Sequence, residues 1–207
     1  MSNLTKFPFS GRRVSDPKHP VLDVLETYWR TLRLGSAAPA RSRIDPCAID
    51  TALPWTFMLQ ANPNGTARIR VAGQKLHDMT DMDPRGMMIG AFFHPEDQDA
   101  LAGALLSVIE DPALVALPLT APGSLLRAPI DATILFLPLS DSDGEITRVL
   151  GALVCDKAAP LKGRKFAIEH KLPIRNEPLS ATTQLQTTKN GPDTSRRPAL
   201  RLVVNNR

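Results

Sequence analysis

The chain has 207 residues, 43% of them hydrophobic, which suits one ordinary core with extensions and excludes a large multidomain assembly. No run approaches the roughly 18 apolar residues of a membrane-spanning helix, and the first residues, MSNLTKFPFSGRR, lack the apolar stretch of a secretory signal. Two cysteines, Cys47 and Cys155, are too few for a disulfide scaffold and point to a reducing, cytoplasmic setting. The net charge of +4 divides unevenly: +3 over residues 1–19, −6 over 20–157 and +7 over 158–207. An acidic middle with basic ends allows contact with nucleic acid, an anionic surface or an acidic partner through those ends.

Residues 1–19 are polar and without periodicity, and a flexible N-terminus is expected there. Pro20 then opens a helix over 20–34, with Val21, Leu25, Tyr28 and Leu32 on one stripe and Trp29 beside it. Gly35 is its natural stop. Asp45-Pro46 starts a short helix near 46–52 that must end before Pro54. WTFMLQ (55–60) and ARIRVAG (67–73) flank the turn signal Asn62-Pro63-Asn64-Gly65, which predicts an antiparallel hairpin. Alternation puts Ile69 and Val71 inward and Arg68 and Arg70 outward.

The stretch between Gly73 and Gly86 carries Leu76, Met79 and Met82 at helical spacing, with Asp78, Asp81 and Asp83 between them. Glycines at both ends allow sharp turns, and aspartates suit short, broken helices. The spacing predicts a pocket wall with the apolar three inward and the carboxylates outward. His94-Pro95-Glu96-Asp97 then starts a helix with Leu101, Ala104, Leu105, Val108 and Ile109 on one face. Three strands follow at 114–121, 125–139 and 146–154, the last two joined by the turn SDSDG at 140–144. Prolines 118, 129 and 138 imply edges or bulges. Two strands, a helical middle and three more strands make an α+β fold.

This order, and the segments RVAGQKLHDMTDMDPRGM (70–87) and FFHPEDQDAL (92–101), resemble the PAS domain. With YWRTLR (28–33) and the stretch from Arg41 to Pro54, the likeness is to stand-alone PAS-like proteins widespread in alphaproteobacteria. It covers residues 20–157. The polar, breaker-rich composition of 158–207 predicts a largely disordered basic tail, and the resemblance implies a five-stranded antiparallel sheet with a helical lid behind a leading helix. It implies a pocket lined by Ile69, Val71, Leu76, Met79, Phe92 and Phe93. It names no cofactor, and the cofactor is unknown at this point.

Candidate chemistry is thin. Asp78, Asp81 and Asp83 lack a partner base, and the four histidines are scattered, so neither a catalytic residue nor a metal site is expected. Asp141-Ser142-Asp143-Gly144-Glu145 is too short for a calcium loop and reads as a turn. His77 is the one histidine in the lid that a haem could use, and no flavin-adduct cysteine motif is present. No phosphate-binding glycine loop, nucleophile elbow or DNA-binding helix pair appears. The expected function is therefore that of a non-enzymatic sensory or regulatory protein with no output module of its own. It would bind a small ligand or act by protein contact, through a partner or a homodimer. The leading helix, with Tyr28 and Trp29, is the candidate interface, unless its stripe packs on its own sheet. The alternative is a nucleic-acid or anionic-surface adaptor using Lys162, Arg164, Lys165, Arg196, Arg197 and Arg201, which a scarcity of stacking aromatics disfavours. Within the tail, 161–174 and 199–204 hold the apolar residues of a docking element; KFAI could equally cover the sheet in cis.

Overall fold

The computed structural model describes residues 19–123, 128–155, 161 and 163–180. Helix α1 spans Pro20–Arg33. Strands β1 (Thr56–Ala61) and β2 (Ala67–Ala72) form the expected hairpin. Helix α2 (Gln74–Thr80) and helix α3 (Gln98–Ile109) follow. Strands β3 (Ala113–Ala121), β4 (Ile130–Ser140) and β5 (Ile146–Cys155) complete the set of five. Two short strands, β6 (Ala167–Ile168) and β7 (Arg175–Pro178), add to it. The antiparallel order is β2-β1-β5-β4-β3-β6, with β7 also on β3. The sheet thus runs past residue 157, where the composition changes and the domain was expected to end.

The sheet has a core on each face. On the inner face α2 and α3 cover Phe57, Leu59, Ile69, Ile134, Phe136 and Val149. On the outer face α1 and the turns at 46–55 cover Leu114, Leu135, Leu137, Leu150 and Ala152. Strands buried on both faces read as continuous apolar runs, which is the texture of β3 to β5. The helix expected near 46–52 is a single 3-10 turn, Pro46–Ile49, capped by Asp45 Oδ1, which accepts from the Cys47 amide at 2.9 Å.

The buried stripe of α1 is Leu22, Leu25 and Trp29, one residue out of phase with the expected Val21–Leu25–Tyr28–Leu32. The indole decides the rotation. Trp29 is fully buried and its Nε1 donates to the Pro138 carbonyl at 2.9 Å. Pairing of β3 with β4 ends at Phe136, so this side of Pro138 has no strand beside it. A proline there removes no ladder bond, and its carbonyl is left for the indole.

Gly73 has φ −74°, which any residue adopts. Its requirement is space: a Cβ would lie 2.4 Å from both the Leu53 and Pro54 carbonyl oxygens. Gly86 does need φ +83°. That turn lets its amide donate to Ile69 at 2.8 Å while Met87 accepts from the Ile69 amide at 2.9 Å, covering the open edge of β2.

Candidate functional site

A small apolar void lies between the inner sheet face and the lid. Ile69, Leu76, Met79, Phe92 and Phe93 line it, joined by Thr80, Pro84, Ile89, Ile134 and Leu153. Five of the six expected pocket residues therefore meet at one place. The sixth, Val71, does not: it is 52% exposed. The reason is a β-bulge. Met58 pairs with Val71 and Leu59 with Ile69, leaving Arg70 as an extra residue. The period of two is broken there, so Val71 follows Met58 to the outer face. Met82 also leaves the wall, at 53% exposure. Asp81 ends α2 with φ +56°, and the helical phase that would carry Met82 inward stops with it.

Two further residues line the void, Leu161 and Phe166. They come from the segment that composition assigns to the tail. Leu161 donates its amide to the Met79 carbonyl at 2.7 Å. Phe166 is fully buried, its ring 6.3 Å from that of Phe93. Its amide donates to Phe92 O at 2.8 Å, and its carbonyl accepts from His94 N at 2.9 Å. With these residues in place the remaining cavity is about 10 Å³, at the lower limit for a single water.

Asp97, the last residue of HPED, fixes the same segment. It was expected to favour the start of α3 by charge, but its side chain caps nothing in that helix. It is 6% exposed; Oδ2 accepts from the Ile168 amide at 3.2 Å and Oδ1 lies 2.9 Å from His170 Nε2. Ile168 and Ala167 pair with Leu119 and Thr120 of β3. The Glu169 amide then donates to Pro118 O at 2.9 Å. A carbonyl and the nitrogen of its residue face the same side of a strand, so Pro118 offers the segment an acceptor and no donor. The ladder is interrupted there before β7 resumes it at Ala113–Ala116.

β7 carries the segment to the outer face, where four charges join it to α1. Arg175 donates to both Glu26 oxygens at 2.7 Å and to Glu177 at 2.8 Å. Arg30 donates to Glu26 at 2.8 Å and to both Glu177 oxygens at 2.8 Å. Burial acts to raise the Glu26 carboxyl, but the bonds from Arg175 and Arg30 together outweigh it and hold the group below its ordinary value. Glu177 is lowered in the same way, against its own burial, by Arg30 and Arg175. Leu179 is buried in the outer core, and Arg33 donates to Ser180 O at 3.1 Å.

Trp29 is enclosed by its own sheet and cannot serve as an exposed interface anchor. Tyr28 is half-buried: its hydroxyl accepts from the Asp45 amide at 2.6 Å, and it borders a shallow groove with Asp23, Val24, Thr27 and Ala48. His77 points to Asp83 at 3.9 Å and does not line the void. Asp83 is tied to Arg85, whose side-chain hydrogen bonds lower its carboxyl to about 2. Asp78, Asp81 and Asp83 are exposed. Among the described residues no three His, Cys, Asp or Glu side chains are grouped to hold a metal. Cys155 is buried with Sγ 3.8 Å from Met79 Sδ, and Cys47 is exposed. Arg164 is committed to the carbonyls of Leu161, Pro122 and Ala128. Lys165 is half-buried. Lys162, Arg196, Arg197, Arg201 and the run 199–204 lie outside the described residues, as do residues 1–18. No helix among the described residues is long and apolar enough to cross a membrane.

A family model described as PAS domain matches residues 17–154. No curated protein matches the chain. Among solved structures, the chain is similar to the dark structure of the blue-light photoreceptor Aureochrome1 LOV, at 14% identity and a TM-score of 0.40, covering 70% of this chain and 89% of that one. It is also similar to the periplasmic sensory domain of the Campylobacter jejuni chemoreceptor Tlp1, at 10% identity and a TM-score of 0.29, covering 65% of this chain and 52% of that one. The chain thus spans about half the length of the latter.

Proposed function

The chain belongs to the PAS-domain family, and from that premise we propose that it is a non-catalytic, cytoplasmic regulatory protein that works by protein contact. The observation that carries this reading is the filled core. Ligand sites measure about 300–1,000 Å³, whereas about 10 Å³ remains between sheet and lid. Side chains of the chain itself, Phe166 and Leu161 included, take the place a small molecule would need. The outward side of α1 offers a surface for a partner or a second copy. Val24 is 40% exposed there, beside Thr27 and Tyr28, with Asp23 at the rim. The acidic rim favours a partner with a basic contact.

Native mass spectrometry of the purified full-length protein, with an absorption spectrum of the same sample, tests the reading. The bare chain mass and no visible absorption are expected. A retained small molecule, seen as an added mass that survives gentle ionisation, overturns it in favour of a ligand sensor.

A further inference from the structure

The segment over 164–170 is held as a bound peptide is held. An aromatic side chain, Phe166, is the buried anchor. The main chain is bridged in both directions, by Phe92 O and His94 N. Two residues on, the Ile168 side chain is buried and its amide meets a buried carboxylate; four residues on, a histidine meets the same carboxylate. On the other side the segment lies along the edge of β3, where only two residues pair before Pro118 breaks the ladder. With β6 lifted away, a strand edge beside an aromatic pocket is the arrangement by which sheets accept an added strand.

We propose that the groove between residues 92–97 and the edge of β3 is a peptide-docking site, filled in cis by residues 164–170. Its occupant in trans is an extended segment of a partner protein with an aromatic anchor, an aliphatic residue two positions on and a histidine or cationic residue four positions on. Asp97 supplies the charge complement for that last position. Docking displaces the cis segment, and because β7 continues it, docking also draws Arg175 and Glu177 away from Glu26 and Arg30. The site then reports its occupancy to α1, on the opposite face of the sheet. The proposal rests on the protein-contact reading above. The two fail separately: a retained small molecule counts against that reading, whereas the following titration addresses this site alone.

The probe is a fluorescein-labelled synthetic peptide with the sequence of residues 161–180, titrated into the full-length chain and into full-length Phe166→Ala. A tethered segment competes at an effective concentration in the millimolar range. The unaltered chain should therefore bind the probe weakly, and the variant, whose own segment has lost its anchor, at least about tenfold more tightly. A probe with alanine in place of its phenylalanine should not bind. Absence of saturable binding to a Phe166→Ala chain that keeps its native near-ultraviolet dichroism overturns the proposal. Hydrogen exchange of the unaltered chain tests it without any substitution. The amides of Phe166 and Ile168 should exchange faster than those of β4, by opening of the segment alone. One common opening free energy for both sets, after division by the intrinsic exchange rates, means that the segment leaves only on global unfolding, and overturns the proposal even if the variant fails to fold.

Discussion

Replacing Asp97 by alanine should cost far more than replacing its partner His170, although the two form one pair. Asp97 is 6% exposed and accepts two bonds. One comes from the amide of Ile168, itself 4% exposed. Removing the carboxylate strands that amide, which costs about 1–3 kcal/mol. The other bond joins an imidazole whose side chain is 60% exposed, so the pair itself contributes about 0–1 kcal/mol. Asp97→Ala should thus lose about 2–3 kcal/mol and His170→Ala at most about 1. Asp97→Asn keeps an oxygen for the Ile168 amide and should fall between them. The double variant should be no worse than Asp97→Ala, since the second substitution removes a bond already gone. Urea unfolding at neutral pH, followed by the fluorescence of Trp29 and Trp55 together, gives the four midpoints. Equal losses for the two single variants, or a double variant that adds them, would refute the assignment of Asp97 to the Ile168 amide.

Two more predictions concern the outer network and the bulge. Glu26 and Glu177 are held below the ordinary glutamate value of 4.5, so the folded chain binds fewer protons there than the unfolded one. The stability they contribute is fully present above about pH 4.5 and is lost as pH falls below it. Glu26→Gln should accordingly narrow its gap from the unaltered chain between about pH 6 and pH 3 in urea midpoints; parallel curves would count against the network. On β2, Ile69→Lys should abolish folding or cost more than about 3 kcal/mol, because it buries a charge in the inner core. Val71→Lys, two residues away, should stay within about 0.5 kcal/mol. A circular dichroism melt of each distinguishes them, and equal damage would place Val71 inside and remove the bulge.

What the sequence made legible was whatever depends on local periodicity. The hairpin, the face of α3 and the runs of β3 to β5 follow from spacing alone, and so do Ile69, Leu76 and Met79 at the void. Periodicity misplaces a residue wherever the chain breaks phase, and the two apolar residues misplaced around the void sit at such a break. Val71 lies beyond an inserted Arg70, and Met82 beyond a left-handed Asp81. The phase of α1 was ambiguous because Tyr28 and Trp29 are adjacent aromatics. A distant carbonyl freed by Pro138 chose between them, and no local pattern encodes that. Gly73 was legible as a constraint but not for its cause, since the atoms that exclude a Cβ come from residues 53 and 54. At the segment 161–180 both readings were open, and the structure takes the one in which KFAI (165–168) covers the sheet in cis. The segment's basic, polar composition resembles a solvated tail, yet Phe166 and Ile168 alternate with Lys165, Ala167 and Glu169, the period-two signature of a short strand with one face buried.

That segment gives the fold a property that neither core has alone. It contributes Leu161 and Phe166 to the inner face, β6 and β7 to the edge of β3, and Leu179 and two ionic groups to the outer face. Between the faces stands a tightly packed sheet that deforms little, so a change on one face has no easy route through it. Around the β3 edge the route is a single covalent segment. Whatever removes Phe166 from the inner core without letting β7 slide along β3 strains the Arg175–Glu26 contacts. Whatever pulls α1 from β7 weakens the hold on Phe166 by an equal free energy, because such couplings are reciprocal. The proposed partner on α1 and the proposed occupant beside Asp97 would therefore be linked through the same segment. The sign of the linkage follows from whether each of them needs the segment in place or gone.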